Sequence, residues 1–119
     1  MTALLSHHIA GAARPSTGSA SLQDLNPSDE RDIVAEVPVG TPADAAAAVA
    51  AAAEALPAWR RLTGPARAEH LHKWAAAIEA RAEEMAQAMA REVGKPIAEA
   101  RGEVGRCMVI LRYYAGDAV

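Results

Sequence analysis

One cysteine and four histidines are the obvious reactive side chains of this 119-residue chain, and their spacing decides what chemistry is open to them. A nucleophilic thiol needs a partly exposed, electropositive setting. Cys107 falls on the apolar stripe of a predicted helix beside Met108, with Arg106 its one adjacent cation, so it reads as a buried structural thiol. His70 and His72 are two apart and point in different directions on a helix, whereas a chelating pair wants a spacing of four. His7 and His8 adjoin on a predicted strand and face opposite sides. All four histidines read as surface or rim residues, and no metal site is expected. Gly94-Lys95 resembles the end of a phosphate loop, but Met89 and Pro96 stand where that loop needs Gly and Ser or Thr. Gly102-Glu103-Val104-Gly105 has the spacing of some RNA clamps, yet it is acidic and lies inside a helical pattern, where close helix packing explains it. Glu83, Glu84, Glu99 and Glu103 read as a solvated helix face, with Glu103–Arg106 and Glu69–Lys73 as modest ion pairs.

Composition narrows the classes further. The net charge of -3 lacks the basic stripe of an electrostatic nucleic-acid binder. No segment has the uninterrupted apolar length of a membrane span, and the start, Met1 to His8, lacks the basic flank and long apolar run of a targeting segment. A lone cysteine forms no internal disulfide, and the cytosol is the simplest compartment. The chain is 51% hydrophobic, but much of that is alanine, there is no Phe and aromatics are 3%, so each buried residue contributes little area. Such a core needs close helix packing or a neighbouring domain.

The elements that must position these residues follow in order. Residues 1–40 read as β-rich: a strand at His7–Ala10, a turn-rich stretch Gly11–Ser19, a strand at Ala20–Leu25, the turn Asn26-Pro27-Ser28-Asp29, and a strand from Ile33 with Ile33, Ala35, Val37 and Val39 on one face and an edge at Pro38. Residues 41–119 read as three long helices. The first opens at Thr41-Pro42-Ala43-Asp44, turns Ala45, Val49, Ala52, Ala53 and Leu56 inward, and stops at Pro57. The second, after Thr63-Gly64-Pro65, carries Leu71, Trp74, Ala75, Ile78, Ala82, Met85, Met89 and Val93 at helical spacing. Gly94 closes it in the left-handed conformation, and Pro96 opens a third helix that buries Ile97, Ala100, Val104, Cys107 or Met108, Leu111 and Ala115. Of the adjacent pair Tyr113-Tyr114, one ring is expected in the core and the other towards solvent or a second domain.

Taken together, these landmarks resemble the amino-terminal part of the aldehyde dehydrogenase superfamily over nearly the whole chain. They are Asn26-Pro27 after a strand, the strand Ile33 to Val39, the helix after Thr41-Pro42-Ala43-Asp44, Pro57-Ala58-Trp59, the helix with Arg67, Ile78 and Arg81, Glu92-Val93-Gly94-Lys95-Pro96, Ala98-Glu99-Ala100 with Glu103-Val104, and Arg112-Tyr113-Tyr114-Ala115-Gly116. Asn26-Pro27-Ser28-Asp29 followed by Asp32-Ile33-Val34 is most similar to ketoglutarate-semialdehyde dehydrogenases. The resemblance implies an α/β parent enzyme several times this length, with a Rossmann-type cofactor domain that residues 41–119 partly build, a catalytic domain and an oligomerising β-arm. It implies oxidation of a small aldehyde to a carboxylic acid with NAD or NADP through a cysteine thioester, in a cytoplasmic homo-oligomer.

The family's catalytic cysteine, base glutamate, oxyanion asparagine and cofactor contacts lie downstream, and none maps onto this chain. It therefore implies no catalytic and no cofactor-binding residue here, and a segment inactive alone whose partner is the remainder of the dehydrogenase chain. Two peripheral roles carry over. Asp24 and Leu25 would offer backbone carbonyls to a monovalent cation, although the family's helper carboxylate is Gly105 here, and Asp117 would lie nearest the aldehyde. Two other readings compete: a free-standing helical interaction module derived from the family, and a small enzyme using Cys107. Concentration-dependent folding speaks against the first, and an unreactive native thiol against the second.

Overall fold

The computed structural model describes residues 4–118; residues 1–3 of the start read for a targeting segment, and Val119, lie outside it. Two compact units divide the chain, the first ending at Arg61 and the second beginning at Leu62.

The first unit holds strands β1 (His7–Ile9), β2 (Ala12–Arg14), β3 (Ser21–Leu25) and β4 (Ile33–Pro38), followed by helix α1 (Pro42–Arg61). β1 and β2 form an antiparallel hairpin with His7 opposite Arg14 and Ile9 opposite Ala12. The two residues that link them, Ala10 and Gly11, have φ of 54° and 75°. A two-residue turn with both φ positive matches the right-handed twist of its strands. β2 falls in the stretch expected to be turn; its three residues are all exposed, so no apolar alternation marks it. β3 and β4 pair antiparallel from Ser21 opposite Pro38 to Leu25 opposite Ile33, with a bulge between Asp24 and Leu25. Their connection is closed by Asn26, whose N–H donates to the Asp32 carbonyl at 3.0 Å and whose Oδ1 accepts from the Ser28 N–H at 2.9 Å. Ala35 is the buried residue of β4, while Val37 and Val39 of the same expected face stay exposed.

Helix α1 departs from expectation twice. It runs through Pro57 to Arg61. Proline removes one donor, and the residue whose carbonyl loses that donor, Ala53, is exposed to water, so the helix can continue. The face expected to turn inward, Val49 and Leu56 included, is also exposed. Alanine propensity and a strong cap sustain this helix with no apolar burial of its own.

In the second unit the expected single long helix is two, α2 (Gly64–Ala80) and α3 (Ala82–Val93), so four helices follow the strands where three were predicted. Arg81 breaks them with φ -121° and ψ 19°, and its N–H donates to the Ile78 carbonyl at 3.0 Å. Neither Gly nor Pro marks the break, and the apolar period runs through it in phase. What fixes it is packing, since Ile78 of α2 and Ala86 of α3 must both reach the core made with Ala100 and Val104 of helix α4 (Ile97–Asp117). Gly94 closes α3 at φ 70° and Pro96 precedes α4, as the sequence implies. Alanines 75, 86, 100 and 115 are fully buried, which lets the helices approach closely.

Three further expectations fail in this unit. Cys107 is exposed and Met108 takes the inward position. Trp74 and Val93, expected on the inward stripe, are exposed. Both tyrosines are exposed, 69% for Tyr113 and 56% for Tyr114, with rings meeting edge-to-face at 5.3 Å. Ion pairs rim the core: Arg101 grips Glu83 at 2.7 and 2.9 Å, Arg112 reaches Glu79 at 2.5 Å, and Lys95 binds Glu103, displacing the expected Glu103–Arg106 pair. Glu69–Lys73 forms as predicted, at 2.7 Å.

Candidate functional site

The most heavily bonded side chain of the first unit is Asp44, a buried carboxylate in the first turn of α1. The sequence Thr-Pro-Ala-Asp places it there: Thr41 Oγ1 accepts from the Asp44 N–H at 3.2 Å, and Asp44 Oδ2 accepts from the Thr41 N–H at 2.9 Å, a reciprocal cap. Three more donors converge on it, two of them from far along the chain. Ser16 Oγ donates to Oδ2 at 2.9 Å, the Thr17 N–H donates to Oδ1 at 3.1 Å, and Thr41 Oγ1 donates to Oδ2 at 3.0 Å. With the Thr41 hydroxyl proton so used, Thr17 Oγ1 is the donor in its 2.6 Å bond to Thr41 Oγ1.

These bonds, the Thr41 amide first and Ser16 and Thr17 after it, hold the Asp44 carboxyl well below the usual carboxylate range against the opposing effect of burial. A carboxylate held that low is a poor proton acceptor near neutral pH. It also fills the positive end of α1, where a phosphate would otherwise sit. Asp44 is therefore a structural knot that ties residues 16–17 to the helix.

His7, expected at the surface or rim, is half-buried and directs a buried Nε2 towards this knot, 3.7 Å from Asp44 Oδ2 and without a hydrogen-bond partner. Beside it lies an open cleft of about 360 Å³ lined by His7, His8, Gly40, Asp44 and Ala45. Local sequence signals reveal Thr41 and Asp44 but not Ser16, Thr17 or His7, which reach the Asp44 carboxylate from 27 to 37 residues away.

The other sequence-derived residues are not brought together. Asp24, half-buried, and Leu25, exposed, flank the bulge of β3. Asp117 is exposed at the C-terminal end of α4, and Cys107 is exposed in the middle of the same helix. Among the described residues, no group of three or more His, Cys, Asp or Glu is placed to hold a metal ion.

Comparison with known proteins agrees with the landmarks rather than with any site. The profile of the aldehyde dehydrogenase family matches residues 14–119. Alpha-ketoglutaric semialdehyde dehydrogenase of Bacillus subtilis (strain 168) is 49% identical over 94 residues, 79% of this chain and 19% of that protein. Glutarate-semialdehyde dehydrogenase of Pseudomonas aeruginosa is 37% identical over 87 residues, 73% of this chain and 18% of that protein. Among solved structures, lactaldehyde dehydrogenase from Escherichia coli superposes with a TM-score of 0.95 at 30% identity, covering 99% of this chain and 24% of that one. The chain thus spans about a fifth to a quarter of the length of the relatives it matches. Both the order of its landmarks and the path of its backbone are theirs, and the chain belongs to the aldehyde dehydrogenase family.

Proposed function

We propose that this chain works as the amino-terminal segment of an NAD- or NADP-dependent aldehyde dehydrogenase, one that oxidises a semialdehyde to a carboxylic acid through a cysteine thioester. The observation that carries the proposal is the 49% identity to alpha-ketoglutaric semialdehyde dehydrogenase. Its 94 residues exceed either unit, so the likeness spans both. Every reacting group comes from the remainder of the enzyme. Residues 41–119 contribute the helical part of the cofactor domain, and the assembled protein is a cytosolic homo-oligomer.

The described residues do not by themselves fit a dinucleotide. Both sheets are antiparallel pairs, and the helix start that follows β4 is filled by Asp44. Nor do they complete a cation site: the carbonyls of Asp24 and Leu25 are too few oxygens for a shell, and Gly105 supplies no carboxylate. The contribution of this segment is scaffolding, with Asp117 at the end that leads towards the aldehyde.

A graft tests this reading. Residues 14–119 replace the corresponding stretch of the Bacillus subtilis enzyme, and aldehyde-dependent NAD(P)H formation is followed. The graft is expected to turn over alpha-ketoglutaric semialdehyde while the 119-residue chain alone does not. Robust turnover by the chain alone, or a folded but inert graft, overturns the proposal.

A further inference from the structure

Helix α4 carries two stripes at spacings of three and four residues. One is the core stripe Ile97, Ala100, Val104, Met108, Leu111 and Ala115, all buried or half-buried. The other runs down the opposite side through Gly102, Gly105, Val109, Tyr113 and Gly116. Val109 is 64% exposed, and Ile110 beside it is exposed as well. A methyl group built on Gly102, Gly105 or Gly116 meets no atom of a neighbouring element.

Glycine inside a helix is destabilising relative to alanine, and large exposed apolar side chains gain nothing from water. Among the described residues no neighbouring element packs on the three glycines, Val109 is largely exposed, and the Tyr113 ring meets the edge of Tyr114 on its own helix. A helix apolar on opposite sides is normally an internal element of a larger core, and small residues in such a stripe mark where another backbone comes close. The relatives that share this fold place it in chains four to five times as long: the matched part is 24% of one and 19% of another.

We infer that the Gly102–Gly105–Val109–Tyr113 face of α4 is an intramolecular docking face, buried in the whole enzyme by a closely approaching apolar element from the remainder of the dehydrogenase chain. This rests on the segment reading above. Helix α4 is then the joint between this segment and the rest of the protein. Its inner stripe holds the local core, and its outer stripe holds the larger one, with the two glycines giving room for backbone contact.

Thiol protection tests the face directly. Val109→Cys is introduced with Cys107→Ser, in the 119-residue chain and in the graft, and labelling of Cys at 109 by a maleimide is read at that peptide by mass spectrometry. The expected result is rapid labelling in the free chain and labelling slowed by about tenfold or more in the graft. Gly102→Leu in the graft should reduce the yield of soluble protein, and Gly102→Ala should do so less.

Equal labelling in an active graft sinks the docking face but leaves the segment reading intact. A folded, inert graft with Cys at 109 protected does the reverse. Protection already present in the free chain, whether by a second copy or by the first unit, overturns the inference, as does a graft that cannot fold, since the face then fails to match the relative's remaining chain.

Discussion

Gly94 sits at φ 70° and ψ 28°, and its N–H closes α3 on the Ala90 carbonyl at 3.0 Å. A Cβ in that conformation crowds its own carbonyl, so Gly94→Ala should destabilise the second unit by about 1–2 kcal/mol, read as a lower urea midpoint at unchanged slope. Ala10 is the converse case, a residue with a Cβ already at φ 54°. Asparagine tolerates the left-handed region, so Ala10→Asn should stabilise the β1–β2 hairpin by about 0.5 kcal/mol; a lower melting temperature would contradict the turn assignment. The two positions differ in legibility. A glycine before Lys-Pro announces itself, whereas nothing about Ala10 signals a positive φ except the two strands that force it. Asp44 falls between these cases: its cap with Thr41 can be read from four adjacent residues, but the donors from Ser16 and Thr17 cannot.

Between elements, exposed ion pairs link α2 and α3 to α4: Glu79 with Arg112 and Glu83 with Arg101. The Arg101 fork on Glu83, helped by Gln87, holds the Glu83 carboxyl at about 2 against a reference of 4.5. The folded state therefore binds fewer protons than the unfolded state between those values, and stability rises with pH there. The contribution of the pair is complete above about pH 4.5 and is lost as pH falls towards 2. In thermal melts, the gap between wild type and Glu83→Gln should be widest at neutral pH, close near pH 2, and narrow in high salt because both groups are exposed. A gap that does not change with pH would remove the electrostatic account. The division of α2 from α3 belongs to this scale too. Apolar spacing identifies every residue on the stripe but cannot tell one helix from two in phase, and the choice falls to the core that both must reach.

At the scale of the whole chain the two units are unequal. Apolar burial concentrates in the second, around Ile78, Ala86, Ala100 and Val104, whereas α1 buries only Asp44. Val104→Ala removes two methyl-sized groups from a fully enclosed site and should cost about 2 kcal/mol in the second unit. Hydrogen exchange should show the α4 amides near Val104 protected well beyond those of α1; equal protection would mean that α1 draws stability from burial not seen here.

The sequence alone determined the family, the existence and order of most elements, the cap at Thr41, the hinge at Gly94 and Pro96, and the core stripe of α4. All of these rest on local propensity, period or an ordered set of landmarks, which one strand of residues carries by itself. Only the tertiary structure decided the break at Arg81, the strand β2, the inward turn of His7, and the exposure of Cys107, Trp74 and both tyrosines. Periodicity says which residues share a face but not what covers it, and a face is buried only when a partner element lies against it.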